Sequence, residues 1–367
     1  TDITKDAKKY LYGDLDTVTV SSYTGSYEQI IQTNSNEKGE LAQIEDSTTI
    51  LYGAYLMETF SPTEKITIDM STRVDKLSYD ISGDEIYAYD YSKDTYKLVD
   101  EPDRLYSIDK TYNLFSAKLG AIYRLTDSTN MYASIATANQ APTGSEIDSA
   151  DEFDIDLDKS RSTNYEIGFK TRTQKLLLDV ALYQNDVKDE IVQVTTENPY
   201  KTTYDNAGKT RKRGLEVNGV YKATETLDLG ASYAYSNFKF VDFDEIFRVR
   251  GVVTSESRAG NYLPYIPKNQ YSLFAAYRME NGLKARVTTK GWGSYYMDNA
   301  NTQKYEGYDF VTDLMVGYEH QAHNIQLNVR NLTDEYYAMQ ASKNVDGDVS
   351  YKAAAPRSFM VTYSYQF

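Results

Sequence analysis

The chain has 367 residues, a formal net charge of −15 and no cysteine, which excludes a disulfide framework, cysteine-based zinc sites and a thiol nucleophile. The acidic balance argues against nucleic acid as a partner, because phosphate backbones are gripped by clustered Lys and Arg. Mean hydropathy is −0.60 and no apolar run approaches the roughly 20 residues of a membrane helix, but a β-barrel escapes that test because only alternate residues meet lipid.

Tyrosine dominates the aromatics, with 36 Tyr against 12 Phe and 1 Trp. Tyr suits strands, and it suits membrane–water interfaces, where one end of the ring is apolar and the other wet. The opening Thr-Asp-Ile-Thr-Lys lacks a signal-peptide pattern, so the expectation is a processed chain or a fragment.

In chain order, residues 1–47 read as an external loop with a candidate first strand at 14–27. From 48 to 367 period-two segments follow one another, about thirteen strands in all. Tyr165, Ile167 and Phe169 alternate with Asn164, Glu166 and Lys170. Leu215, Val217 and Tyr221 oppose Glu216 and Asn218. Tyr308, Phe310, Leu314, Val316 and Tyr318 oppose Asp309, Asp313 and Glu319, and Ile325, Leu327 and Val329 oppose Gln326, Asn328 and Arg330. The last segment alternates Phe359, Val361, Tyr363, Tyr365 and Phe367 with Met360, Thr362, Ser364 and Gln366. Charges at inward positions do not suit a dry sandwich core, where unpaired charge is costly; they suit a watery or plugged lumen.

Connection lengths alternate as well. Short turns fall at 61–65, 125–129, 172–175, 224–226, 280–282 and 320–323. Long connections fall at 83–112, 140–161, 194–209, 242–268, 298–306 and 333–357. A membrane barrel has short turns at its periplasmic rim and long loops outside. The fold class is therefore all-β: a transmembrane antiparallel β-barrel with about 13–14 strands in this chain.

Several local motifs resemble the barrel of TonB-dependent siderophore receptors, of the ferrichrome-receptor type. They are Tyr52-Gly53-Ala54-Tyr55-Leu56, Ser116-Ala117-Lys118-Leu119-Gly120, Ala141-Pro142-Thr143-Gly144-Ser145-Glu146, Asn164-Tyr165-Glu166-Ile167-Gly168-Phe169-Lys170, Arg213-Gly214-Leu215-Glu216-Val217 and Asn331-Leu332-Thr333-Asp334-Glu335-Tyr336-Tyr337. Departures are Met57 and Glu58 for the usual Gln and Asp, Ala117 for Pro and Gln140 for Arg.

The resemblance implies a 22-stranded barrel of which 48–367 is the C-terminal portion, with the plug domain and the TonB-contacting segment absent from this chain. It implies a monomer in the bacterial outer membrane, touching lipid and lipopolysaccharide, that takes up ferric siderophores with energy from the TonB complex. A cobalamin or other organic-complex receptor, a plug-less diffusion channel, and an adhesion or phage-docking surface are the alternatives.

No catalytic constellation or covalently bound cofactor is called for, and no metal site is expected. His320 and His323 share one predicted turn, better read as solvated than as metal-binding. The two-His count also speaks against a haem receptor. The acidic run from Asp148 to Asp158 offers oxygen ligands for Ca²⁺, but its spacing is not that of an EF-hand, and a solvated acidic loop is the favoured reading.

The resemblance directs substrate contacts to external loops and the upper lumen. Tyr87, Tyr89, Tyr91, Tyr96 and Tyr106 fall in the longest predicted loop, to close over a ligand or to pack the loop. Lys284, Arg286, Lys290 and Trp292 read as a basic lumen wall, continued by Tyr295 and Tyr296, to attract anionic ferric complexes or to pair with Asp309 and Asp313. Glu166 and Glu216 read as inward members of a charge network that holds a plug or its waters.

Overall fold

The computed structural model describes residues 2–12, 16–23, 41–90, 95–98, 105–151, 155–195, 202–249, 252–343 and 347–367. Fifteen strands form one antiparallel sheet: β1 Asp2–Tyr12, β2 Asp16–Tyr23, β3 Leu41–Thr63, β4 Ile66–Glu85, β5 Leu105–Thr126, β6 Thr129–Gln140, β7 Ser160–Arg172, β8 Leu176–Thr195, β9 Thr202–Lys222, β10 Leu227–Asp242, β11 Asn269–Arg278, β12 Leu283–Trp292, β13 Tyr308–His320, β14 His323–Arg330 and β15 Ser358–Tyr365. From β3 onward every strand pairs with its sequence neighbour, thirteen strands in an up-and-down meander. At the other edge β1 lies between β2 and β3. β2 falls inside the stretch read as a candidate strand; β1 was not foreseen. Among the described residues β2 and β15 do not pair with each other, so the sheet keeps two open edges.

The two faces of the sheet are chemically distinct, and β4 shows why. Its outward positions run Ile66, Ile68, Met70, Thr72, Val74, then Lys76, Ser78, Asp80. Its inward positions run Asp69, Ser71, Arg73, Asp75, then Leu77, Tyr79, Ile81. The apolar residues change face between Val74 and Leu77. Below that level the outward side meets lipid; above it, the outward side meets water and the inward side builds a core. The 20 residues of β4 exceed the ~9–11 that a tilted strand needs to cross a bilayer, and the excess projects beyond it. For the same reason the predicted long connections at 83–112 and 194–209 are largely strand: β5 already starts at Leu105 and β9 at Thr202.

Aromatic belts mark both boundaries. Tyr123, Tyr221, Tyr277, Tyr318 and Tyr365 face outward and exposed beside the short turns; Tyr52, Phe115, Tyr165, Phe310 and Phe359 do so near the long connections. Large exposed apolar side chains in this quantity would drive aggregation in water, and belts of this kind are what a bilayer stabilises. No helix of the described residues is long and apolar enough to cross a membrane.

Aromatic rings lie flat over glycines on the neighbouring strand. Tyr132 covers Gly168 and Tyr183 covers Gly214, each pair directly opposite in register. A Cβ on either glycine would stand 2.3 Å from the ring. The missing side chain is what lets the ring lie against the backbone.

Above the membrane the long connections fold rather than trail. Helix α1, Gly144–Asp151, falls where the sequence suggested an acidic loop. Thr143 and Glu146 form its capping box: Glu146 N–H donates to Thr143 Oγ1 at 3.3 Å, and Thr143 N–H donates to Glu146 Oε2 at 2.7 Å. Ile147 buries against Ile81, Ile108 and Tyr112 on the inward wall. A second cap joins the hairpins Tyr295–Tyr296/Lys304–Tyr305 and Ala338–Lys343/Val349–Ala353 around Tyr295, Met297, Tyr305 and Ala341.

Candidate functional site in the upper lumen

The inward wall carries the polar groups. On β6 to β9 the register places Tyr132, Glu166, Tyr183 and Glu216 on one face. Tyr132 donates to Glu166 at 2.6 Å, and Lys170 lies 5.5 Å from the Tyr132 ring centre. The Arg-Gly-x-Glu segment splits between the faces: Gly214 and Glu216 point inward, Arg213 and Leu215 outward. The inner surface here is a ring-and-carboxylate lattice, open to an incoming cationic or hydrogen-bonding group.

Higher up, inward Glu190 accepts from Thr210 and from Lys212. Glu190 and Lys212, with Ser160, Asn185 and Glu146, border a polar niche of about 450 Å³.

The wall of β12 is less basic than its sequence suggested. Lys284 pairs with Glu319 at 3.3 Å and Lys290 approaches Asp313 at 3.7 Å. Asp313 behaves as read, but Asp309 does not join this wall. The register breaks between Lys290 and Trp292, and Phe310 takes φ 55°, so Asp309 swings to the outer rim and accepts from Tyr271 Oη at 3.2 Å. Arg286 keeps no carboxylate partner among the described residues. Its guanidinium lies 3.8 Å over the Phe274 ring, and its Nε donates to Thr288.

Arg286 shares a niche of about 190 Å³ with Thr288, Asp313, Met315, Asn328 and Arg330. Buried Asn328 Nδ2 has no hydrogen-bond partner there. Arg330 and Asn328 were read only as alternating polar positions; their meeting with Arg286 depends on the pairing of three strands.

The aromatic candidates separate. Tyr295 is buried, donates to the Ala341 carbonyl at 2.9 Å and accepts from Ala341 N–H at 2.8 Å, so its hydroxyl is engaged by backbone inside the cap. Burial raises its pKa, and burial with the neighbouring Tyr295 pushes Tyr305 up to about 12. Trp292 packs on the same cap. Tyr296 stacks on Tyr262 at 6.0 Å.

Tyr106 sits on β5, not in a loop; it lies over Gly83, donates to Glu45 at 3.1 Å and accepts from Gln43 at 2.9 Å. Tyr87 opens the short hairpin Tyr87–Asp90/Thr95–Leu98, in which Tyr89 and Tyr96 are backbone partners. Tyr91 lies outside the described residues.

The described end of the acidic run pairs with strand residues: Asp156 takes Lys110 at 2.7 Å and Asp158 takes Arg161 at 3.5 Å. No cluster of three potential metal ligands occurs among the described residues. His323 Nδ1 shares a 2.8 Å hydrogen bond with Tyr363 Oη beside the turn.

Comparison with known proteins agrees with this architecture. The model of the family described as TonB dependent receptor-like, beta-barrel matches residues 3–332. The catecholate siderophore receptor Fiu of Escherichia coli K12 is 26% identical over 271 residues, covering 70% of this chain and 33% of Fiu. The ferrioxamine B receptor of Salmonella typhimurium LT2 is 24% identical over 316 residues, covering 79% of this chain and 42% of the receptor. The chain thus spans about a third to two-fifths of these relatives. In structure, the closed form of the E. coli K12 ferric-catecholate import receptor Fiu superposes with TM-score 0.71 at 20% identity, over 100% of this chain and 54% of that one.

Proposed function

We propose, since the chain belongs to the TonB-dependent receptor-like β-barrel family, that it forms the C-terminal barrel portion of an outer-membrane receptor for ferric siderophores, energised through TonB. The observation that carries this reading is the opposition of the two faces: an apolar, aromatic-belted outer side and an inner side lined by Glu166, Glu216, Arg286 and Arg330. A barrel whose inside is polar and whose mouth is roofed by folded loops is built to hold something at its centre.

In this reading Glu166 and Glu216 engage cationic groups of a plug carried by another part of the protein. Arg286 and Arg330, with the unpartnered Nδ2 of Asn328, are the groups that meet an anion. Tyr87, Tyr89 and Tyr96, on the hairpin Tyr87–Asp90/Thr95–Leu98, are the aromatic residues assigned to a ligand at the mouth. TonB acts on segments outside this chain, and the barrel is the frame against which they are pulled. A diffusion channel complete in fifteen strands is less well supported, because the two edge strands, β2 and β15, do not pair with each other among the described residues.

The test is a fluorescence titration of the complete gene product in detergent with ferric siderophores of catecholate and hydroxamate type, and with cobalamin and haem as comparators. Saturable quenching by one ferric siderophore is the expected result. No binding by any of them, with steady ion conductance in planar bilayers, would replace this reading with the passive channel.

A further inference from the structure

The inward wall of β6 to β9 rises in paired rows toward the long connections. Ala136, Asn164, Asn185 and Lys212 form one row, and Ala138, Ser162, Val187 and Thr210 the next. Ser160 stands above them, opposite Gln140. Strand parity would turn Glu190 outward with Asp186 and Lys188. Asp189 takes φ 55° instead, and Glu190 comes inward to accept from Thr210 and Lys212. A left-handed residue within a strand costs backbone energy, so this carboxylate reaches the inner face against local preference.

Helix α1 straps the same wall. Ile147 is buried against Ile81 of β4 and Ile108 and Tyr112 of β5, and the Ser149 carbonyl accepts from Thr203 Oγ1 of β9 at 2.7 Å. The helix is thereby tied on both sides of β6 to β8, and its Glu146 borders the polar niche of about 450 Å³ described above.

Three acceptors in this niche are unused. Asn185 Oδ1 is buried and has no hydrogen-bond partner. Glu146 Oε2 accepts from Thr143 N–H and Oγ1–H, while Oε1 accepts from nothing among the described residues. Ser160 is 7% exposed, and its hydroxyl has no hydrogen-bond partner among the described residues. The charged groups of the lining are Glu146, Glu190 and Lys212, and Lys212 is already bound to Glu190. The niche is therefore net negative and short of donors.

Buried acceptors without donors and a buried carboxylate without a counter-ion are both costly. One kind of guest relieves both, a cation that donates hydrogen bonds. A bare metal ion fits poorly, because no cluster of three potential metal ligands occurs among the described residues. The volume of 450 Å³ also far exceeds the roughly 30 Å³ share of one water, which leaves room for an organic arm. An anion drawn to Lys212 would meet Glu146 and Glu190 as well.

We infer that this niche is a subsite for a protonated primary amine on a flexible arm of the imported ligand, with the ammonium held by Glu146, Asn185 and Ser160. The inference rests on the receptor reading and adds a charge requirement on the ligand that the Arg286 and Arg330 wall does not supply. The niche lies at the outer strand ends, the side from which a ligand arrives. A lysine from another part of the protein has the same chemistry, and it would close the niche to added amines.

The experiment is a fluorescence titration of the complete gene product in detergent at neutral pH. The probes are ferrioxamine B, a ferric trihydroxamate that ends in a free amine, its N-acetyl derivative, which keeps the chelate and loses the charge, and a ferric tris-catecholate. In parallel, melting is followed with pentylammonium chloride or pentanol. Ferrioxamine B is expected to bind about tenfold or more tightly than its N-acetyl form, the worth of one charge-assisted contact. Glu146→Gln/Asn185→Leu should bring the two forms within about twofold by weakening ferrioxamine B alone. A glutamine still closes the capping box, so the helix is retained. Pentylammonium, unlike pentanol, should raise the Tm of the wild type and leave that of the variant unchanged.

Equal affinity for the two ferrioxamine forms, or a preference that survives the double substitution, would overturn the inference and leave the receptor reading intact. So would tighter binding of the tris-catecholate that the substitutions do not alter. No response to pentylammonium would also overturn it, in favour of a niche filled by an internal lysine. Failure of every ferric complex to bind, with pentylammonium still protecting the wild type alone, would sink the receptor reading and uphold the amine site.

Discussion

Leu314→Arg tests the assignment of the two faces most directly. Leu314 faces outward on β13, four residues from Phe310 at the outer belt and four from Tyr318 at the periplasmic belt. Four residues of a strand tilted by about 40° rise roughly 10 Å, so Leu314 lies near the midplane, out of reach of either headgroup layer for a snorkelling side chain. An Arg there is expected to cost about 2–4 kcal/mol, while at Tyr318 the same residue should cost about 0–1 kcal/mol.

Thr362→Arg supplies the internal control, because Thr362 faces inward on β15 and its new charge would enter a polar lumen. The assay is urea titration of the complete protein folded into phospholipid vesicles, with unfolding followed by fluorescence. The midplane variant should lose roughly 30- to 1,000-fold in folding constant. Equal costs for Leu314→Arg and Thr362→Arg would refute the assignment of faces, and with it the placement of Glu166, Glu216 and Arg286 in the lumen.

Other expectations follow from named contacts. Gly168→Ala places a methyl 2.3 Å from the Tyr132 ring, and should destabilise by about 1–3 kcal/mol and break the Tyr132–Glu166 hydrogen bond. A thermal melt compared with Tyr132→Phe, which keeps the ring and loses only the hydroxyl, separates the two effects. Arg258→Met leaves Glu245 without the 2.7 Å partner it has in an outer loop, where both side chains are under 10% exposed, and should loosen that loop by about 3–5 kcal/mol. Faster cleavage between residues 242 and 268 in limited proteolysis is the readout.

The second cap should also be alkali-sensitive. Tyr305 holds its proton to about pH 12, against 10 in an unfolded chain. In that window the unfolded state has released the proton and the folded state retains it. The stabilisation is therefore complete below pH 10 and is lost as the pH rises toward 12. Phenolate absorbance against pH, compared with Tyr305→Phe, measures it.

Much of the fold was legible in the sequence because a membrane barrel is specified by local rules. Period-two alternation put Tyr165, Ile167, Leu215 and Val217 outward and Glu166 and Glu216 inward, and the structure keeps that assignment strand after strand. All six short turns fall where polar clusters predicted them. The helix at 144–151 carries its own sequence signal, the Thr143–Glu146 capping box, but the acidic composition that follows it is equally that of a solvated loop.

The candidate site was less legible. Tyr106 was placed in a loop because nothing in the sequence says that a strand continues above the membrane, where its alternation survives with the apolar and polar faces exchanged. Tyr295 looked like wall surface because its burial depends on residues 305 and 341, distant in the chain. Asp309 was assigned to the lumen by parity, and one irregularity between β12 and β13 reversed it.

The sequence by itself determined the crossing portions of β3 to β15, the face that most of their side chains take within the bilayer and the short turns, because each depends on neighbours two to four positions away. The tertiary structure decided which charges are neutralised and which remain available. Lys284 and Lys290 find carboxylates on β13; Arg286, Arg213 and Lys239 find aromatic rings or an amide instead. That difference is set by register between strands, and a one-residue change of register moves a side chain to the other face of the sheet.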